Sequence, residues 1–344
     1  MVRPAPSLED ALGASYHSAQ VPARVRLNTN ESPYGPPPAV ARALEEAVAL
    51  DLARYPDRRA EALRAALGRL HGVAPTSIFV ANGSNEVLET VLAAWGGPGR
   101  RLWLAEPTYG MYRQIARVTR TTVVAGARRS DGSIDPSSLE ADSELVIVCQ
   151  PNNPTGMLEP PEVMDRVLAC DDRLVLVDEA YADFADLGPA TLLGDHVVRI
   201  RTLSKAAGLA GLRLGYAVCA PEVADVLWSA CLPYHVNAVT QAVAVAALAD
   251  VDEIARRAAL VVRERERVGQ ALGTLAARVW PSATNFILFD PGRPATEVWE
   301  GLVAKGILIR DASRWPGLSN TLRVTIGTAD ENDAFLAALG EVLA

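Results

Sequence analysis

The sequence predicts an α/β fold: a mostly parallel sheet covered by helices on both faces, followed by a smaller α+β unit. Three observations predict it. Short apolar, β-branched runs recur along the first two thirds of the chain, among them Leu145 to Val148 and Leu174 to Val177. Stretches of helical period separate several of them, the alternation expected of βα units in a sheet buried on both faces. After Pro221 the texture changes to long helical patterns and then to short strands alternating with helices.

The elements follow in order. The chain up to Pro38 is proline-rich and reads as irregular. Proline at a first helical position suits a helix from Pro38 to about Ala53. A break at Arg54-Tyr55-Pro56-Asp57 precedes a second helix ending near His71-Gly72. Ile78 to Val80 reads as a strand, and Asn82-Gly83-Ser84 opens a helix through Ala94. Leu102 to Leu104 is a strand, Tyr109 to Val118 a helix, and Thr122 to Val124 a strand. The runs at 145–148, 174–177, 197–200 (with Arg199 inside it) and 214–218 complete the strands of the first sheet. Helical patterns then reach about Leu275. Strands at 286–288, 307–309 and 322–324 frame a helix from Ala295 to Ala304, and a last helix starts at Asp330. We expect residues 1–37 to pack on the small unit and the active site, 38–235 to form the large unit and 236–344 the small one.

Composition excludes several function classes. Apolar residues make up 49% of the 344-residue chain and charged residues 22%, so a large core is available. The net charge of −8 and the lack of a basic tract argue against nucleic-acid and anionic-membrane partners. No apolar run approaches the roughly 18–20 residues of a membrane span. The N-terminus lacks the apolar stretch of a secretory signal. Cys149, Cys170, Cys219 and Cys231 form no CxxC pair and read as reduced thiols, which with the missing signal suggests a cytoplasmic protein. The four histidines show no metal-binding spacing, so no metal is expected.

Chemistry gathers where parallel strands end, the edge at which such sheets bind ligands. Asn82-Gly83-Ser84-Asn85 offers a helix N-terminus, either a phosphate site or a plain cap. Asn153-Pro154-Thr155-Gly156 is a turn. Asp178 closes a buried strand, and a carboxylate there needs a cation, either a protonated pyridine or an arginine. Of the 33 basic residues only Lys205 and Lys305 are lysines. Arginine stays protonated and cannot attack a carbonyl as an amine, so imine chemistry has two candidates. Lys205 lies among small and apolar residues, where burial lowers an amine's pKa. Lys305 precedes Gly306 at a helix end, an ordinary place for a lysine.

Jointly, Asn153-Pro154-Thr155-Gly156, Asp178-Glu179-Ala180-Tyr181, Ser204-Lys205 with Arg213, and Arg323 resemble the class I/II aminotransferases of pyridoxal-phosphate (PLP) fold type I. Within them, Leu27 to Pro33, Arg54-Tyr55-Pro56-Asp57, Pro107 to Tyr112, Leu232-Pro233-Tyr234 and Leu322 to Thr328 resemble the histidinol-phosphate aminotransferases. The likeness spans essentially the whole chain and implies a mostly parallel seven-stranded large-domain sheet beside a smaller α+β domain. It implies pyridoxal 5′-phosphate as cofactor, with Lys205 as covalent anchor and proton carrier, Asp178 on the ring nitrogen, and Asn153 and Tyr181 on the ring oxygen. Tyr109 is then expected on the ring face, and Ser84, Asn85, Ser204 and Arg213 on the phosphate. Tyr55 is expected to reach the phosphate of a neighbouring subunit, which implies a homodimer with shared sites. Arg323 is the expected carboxylate fork; Asn30, Tyr16, Tyr234 and Asn85 are expected at the substrate. Arg310 is either the substrate-phosphate residue or a strand-end arginine paired with Asp311.

The activity so implied is ping-pong transamination between histidinol phosphate and 2-oxoglutarate, reversibly, in amino-acid biosynthesis. An aromatic aminotransferase and a threonine-phosphate decarboxylase would share the cofactor residues and differ in the rest of the pocket.

Overall fold

The computed structural model describes residues 19–344. Tyr16 lies outside the described residues.

The large sheet holds seven strands: β2 (Ile78–Ala81), β3 (Arg101–Ala105), β4 (Thr122–Gly126), β5 (Leu145–Cys149), β6 (Leu174–Asp178), β7 (Val197–Thr202) and β8 (Gly215–Val218). Their order is β2-β8-β7-β6-β5-β3-β4. Only β8 runs against its neighbours, β7 and β2; the other pairings are parallel. Six strands therefore end, and β8 begins, at one edge. β5 and β6 are apolar almost throughout because both faces are covered. Leu145 and Ile147 join one core and Val146 and Val148 another, as the two-residue period requires. Arg199, an anomaly in an apolar run, is buried against Glu179, with Nη2 donating at 2.6 Å. Arg201 donates to the same carboxylate at 2.8 Å.

Helices α1 (Pro38–Glu46), α2 (Glu61–His71), α3 (Ser84–Trp95), α4 (Met111–Thr119), α5 (Pro161–Leu168), α6 (Pro221–Ala230) and α7 (Ala238–Leu248) surround this sheet. Val163 and Val167 of α5 fill the core on one face, while residues of α1 to α4, α6 and α7 join that on the other. The first helix is shorter than expected. It stops at Glu46, a 3-10 turn covers Ala47–Ala49, and Leu50 is extended. Val48 and Leu52 are 86% and 69% exposed, so no buried stripe carries the helix on to Ala53.

A second sheet has the order β1-β11-β12-β10-β9, built from β1 (Val25–Leu27), β9 (Arg278–Val279), β10 (Phe286–Asp290), β11 (Ile307–Asp311) and β12 (Leu322–Thr325). α8 (Val251–Leu275), α9 (Ala295–Ala304) and α10 (Ala329–Leu343) pack with it around Phe286, Phe289, Leu302 and Phe335. The segment read as irregular thus contains a strand: Val25–Leu27 pairs in parallel with Ile307–Ile309, a non-local contact that three residues of sequence do not announce. α7 belongs to the large core through Val243, Ala244 and Ala247, and α8 to the small one through Val261, Val268 and Leu272. The change of core therefore falls near Asp250, after the expected boundary at residue 235.

Candidate active site

The strand ends enclose a cavity of about 170 Å³. Ser84, Asn85, Tyr109, Asn153, Asp178, Tyr181, Ser204, Lys205 and Arg213 of the large sheet's loops line it, with Asn30 and Arg323 from the small-sheet side. Every residue expected at the cofactor except Tyr55 is therefore in one place.

Lys205 sits in the loop joining β7 to β8. Its Nζ donates to the carbonyls of Asn30 at 3.0 Å and Thr29 at 3.4 Å. Burial lowers its pKa to about 8, and the nearby Arg323 and Arg213 push the same way against Glu31 and Asp178. The loop is pinched at its base by Leu203 N–H, which donates to the Leu214 carbonyl at 3.1 Å. Its far end returns at Arg213, whose φ of 56° is left-handed. There the guanidinium lies so close to Gly83 that a Cβ on Gly83 would strike it. A Cβ on Gly215 would strike the Ser84 backbone nitrogen. Two glycines thus let the start of α3 settle against β8 and bring its first turn to the cavity beside Arg213.

Asp178, only 3% exposed, points into the cavity, and Glu179 turns the other way into the Arg199–Arg201 pair. Among the described residues no arginine pairs with Asp178. Its Oδ2 accepts from the Tyr112 hydroxyl at 2.7 Å and its Oδ1 from Ala180 N–H at 3.1 Å. Burial raises the Asp178 pKa despite these donors.

Tyr181 Oη accepts from Asn30 Nδ2 at 2.9 Å and Asn153 Nδ2 at 3.4 Å. Asn30, with a left-handed φ of 55°, also receives the Thr325 hydroxyl on Oδ1 and gives its N–H to Thr325 Oγ1. A non-glycine residue held there by bonds on several sides is a strained position of the kind found at ligand sites. Arg323 is 2% exposed; Nη1 donates to Asn153 Oδ1 at 2.6 Å and Nη2 to the Asn28 carbonyl at 3.2 Å. Its Nε is buried without a hydrogen-bond partner among the described residues.

Three expected residues stand apart. Tyr55 and Tyr234 stack on each other at 4.6 Å and are 81% and 40% exposed, so neither lines the cavity within this chain. Arg310 faces Arg323 in the β11–β12 register, and the two guanidinium carbons lie 5.3 and 5.7 Å from the Trp315 ring. Cys149, Thr202 and the Thr29 carbonyl also bear on the site and carried no expectation, and Asn30 bears on it through its carbonyl as well as its side chain. Tyr112 carried none either; it lies in the first turn of α4, three residues after Tyr109.

The family profile described as aminotransferase class I and II matches residues 23–339. The chain belongs to this family. The aminotransferase is 43% identical over 351 residues to the histidinol-phosphate aminotransferase of Frankia casuarinae, covering 95% of this chain and 87% of that protein. With the enzyme of the same name from Rhodococcus jostii it shares 41% over 358 residues, covering 98% and 93%. The histidinol-phosphate aminotransferase of Sinorhizobium meliloti, solved in complex with pyridoxal-5′-phosphate, superposes with a TM-score of 0.84 at 29% identity, covering 93% of this aminotransferase and 91% of that chain. Among the described residues no helix is long and apolar enough to cross a membrane.

Proposed function

We propose that this aminotransferase uses pyridoxal 5′-phosphate to move an amino group reversibly between histidinol phosphate and 2-oxoglutarate, with glutamate and imidazole-acetol phosphate as the opposite pair, in histidine biosynthesis. The observation that carries the reading is the cavity's two-ended chemistry. A poorly hydrated amine, Lys205, lies in it with a buried carboxylate, Asp178, and with Arg213 beside the start of α3.

The residues fit the cofactor. Asp178 is buried and forms no salt bridge among the described residues, with Lys205 acting on it only through space, and a protonated ring nitrogen would supply a direct partner. Arg213, Ser204 and the first turn of α3 suit a phosphate, and Tyr109 a ring face. Asn153 and Tyr181 suit the ring oxygen. When bound, pyridoxal phosphate supplies an aldehyde for the amino group and a ring that accepts electron density from the substrate Cα. Lys205 would hold it covalently and would carry the Cα proton on Nζ.

Substrate recognition rests on the small sheet. Glutamate offers a carboxylate where histidinol phosphate offers a phosphate ester. Arg323, with an unpartnered Nε, suits either anion, and Arg310, on the neighbouring strand, adds the second positive charge that a phosphate dianion requires. Asn30 holds this wall to Tyr181, and Tyr16 is assigned to the substrate side chain.

We assign the working form as a homodimer with shared sites. Tyr55, Tyr234 and Leu232 are exposed close to Val48 and Leu52 in sequence or by stacking, and Tyr55 is free to reach a partner's phosphate site. Tyr234 would then approach the partner's substrate. The four cysteines are free thiols, in keeping with a cytoplasmic protein. The chain divides into a large cofactor-holding body and a smaller body joined near Asp250, with residues 19–37 touching both.

An amino-donor panel with 2-oxoglutarate tests the reading. We expect kcat/KM for histidinol phosphate to exceed that for phenylalanine by about 100-fold, the worth of one or two charge-assisted hydrogen bonds. Equal values would assign the protein to aromatic amino acids, and carbon dioxide release without 2-oxoglutarate to decarboxylation.

A further inference from the structure

Asp178 is buried at the end of β6, and desolvation together with neighbouring Glu179 favours its neutral form. A neutral Asp178 cannot hold a proton on the ring nitrogen facing it, because the shared proton then rests on the acid. Something must keep the group a carboxylate. The groups around it are Tyr112 from α4, Cys149 from β5, Glu179 on its own strand, and Lys205 from the loop after β7. Cys149 directs its thiol to the Pro151 carbonyl at 3.3 Å. Glu179 is spent on Arg199 and Arg201. Lys205 acts only through space, because its amine donates to Asn30 and Thr29. The one side chain among the described residues that donates to Asp178 is Tyr112, with its hydroxyl 2.7 Å from Oδ2.

We propose that Tyr112 is a positioning residue that fixes how Asp178 and the cofactor's ring nitrogen share their proton: its hydroxyl holds Asp178 as the carboxylate, leaving the proton on the ring. The proposal rests on the reading that Asp178 faces that nitrogen. The geometry makes Tyr112 a permanent donor. It is 1% exposed, and its ring meets the edge of Tyr109 at 5.5 Å and 87°. Its N–H is tied to the Tyr109 carbonyl at 3.1 Å. Burial, with Asp178 and Cys149 beside it, drives its own pKa far up, so the phenol keeps its hydrogen. The opening of α4 thus serves the ring twice, with Tyr109 for the face and Tyr112 for the group opposite the nitrogen.

The test is the 15N resonance of the ring nitrogen in protein loaded with [15N]pyridoxal phosphate, compared among wild type, Tyr112→Phe and Asp178→Asn. We expect the wild-type signal at the protonated position and a shift toward the unprotonated position in both variants, smaller in Tyr112→Phe. In Tyr112→Phe, kcat with glutamate should fall about tenfold, the loss of one hydrogen bond to a charged group, with KM changed by less than about twofold. If Asp178→Asn moves the resonance and Tyr112→Phe does not, the proposal is wrong and the placement of Asp178 stands. If neither moves it, that placement itself is wrong. Should Tyr112→Phe fail to take up cofactor, 4-aminophenylalanine at position 112 keeps the shape with a weaker donor; it should give an intermediate shift, and an unmoved signal would overturn the proposal.

Discussion

Lys205 owes its lowered pKa to dehydration. A free lysine has its pKa near 10.5, and this one is lowered to about 8 by burial first and by Arg323 second. The neutral amine is the form that condenses with an aldehyde, so capture of pyridoxal phosphate by the apoprotein should rise with pH to a midpoint near 8 and then level off. A midpoint near 10 in stopped-flow absorbance would show that the amine is solvated. Lys205→Ala should abolish the visible absorption of the loaded enzyme and all transamination. Lys305→Ala should leave both intact, because its amine is bound at the surface to Glu341 at 2.5 Å. Arg310→Ala should raise KM for histidinol phosphate about 10- to 100-fold and that for glutamate by less than about threefold, whereas Arg323→Ala should raise both. Equal losses on the two substrates in steady-state kinetics would remove Arg310 from phosphate recognition. That Lys205 and Asp178 line the cavity was legible because each is anomalous in its own segment, an amine among small residues and a carboxylate ending an apolar run. Tyr112 was not, since the fact that matters is a contact with a residue 66 positions away.

Elements were legible where the local signal and the tertiary demand agree. The helix Ala295–Ala304 has the expected limits, with Pro294 before its start and the left-handed Gly306 soon after its end. α10 begins one residue before Asp330 because Thr328 and Glu331 form a capping box. Where the demand is non-local, as for β1 or the truncated α1, the pattern fails. The same non-local tie gives α2 a titratable anchor. Its last residue, His71, is buried; Nε2 lies 2.8 Å from Tyr216 Oη of β8, and Nδ1 accepts from Ala190 N–H. That acceptor role requires the neutral ring. Burial, with Arg201 and Arg199 near, lowers the His71 pKa from 6.5 to about 3. The unfolded chain therefore binds this proton more readily between those values. Stability from the neutral ring is complete above pH 6.5 and declines as pH falls toward 3, by at most about 1.4 kcal/mol per pH unit. His71→Gln should flatten the acid limb of urea-unfolding stability measured across that range; an unchanged slope would place the acid sensitivity elsewhere.

At the scale of the whole molecule, the exposed Tyr55–Tyr234 stack sets the prediction. If Tyr55 completes a partner's phosphate site, a Tyr55→Ala chain and a Lys205→Ala chain, each impaired alone, should regain activity when unfolded together and refolded, because the mixed dimer holds one intact site. No recovery in a verified mixed dimer would confine each site to one chain. The general plan, a large sheet with one reactive edge followed by a smaller sheet, was legible from the change of texture after Pro221. The placing of α7 was not, because its alanine-rich surface suits either core and only packing decides between them.

The loop from Leu203 to Leu214 is tied at its base, so Lys205 and Arg213 ride on a closed ring that stays with the large sheet. Arg310 and Arg323 belong to a different sheet. If Lys205 and Arg213 hold the prosthetic group and Arg310 and Arg323 receive the incoming acids, as proposed, the two tasks sit on separate sheets. On that plan, substitutions confined to two neighbouring strands would change what is accepted and leave the surroundings of the lysine as they are.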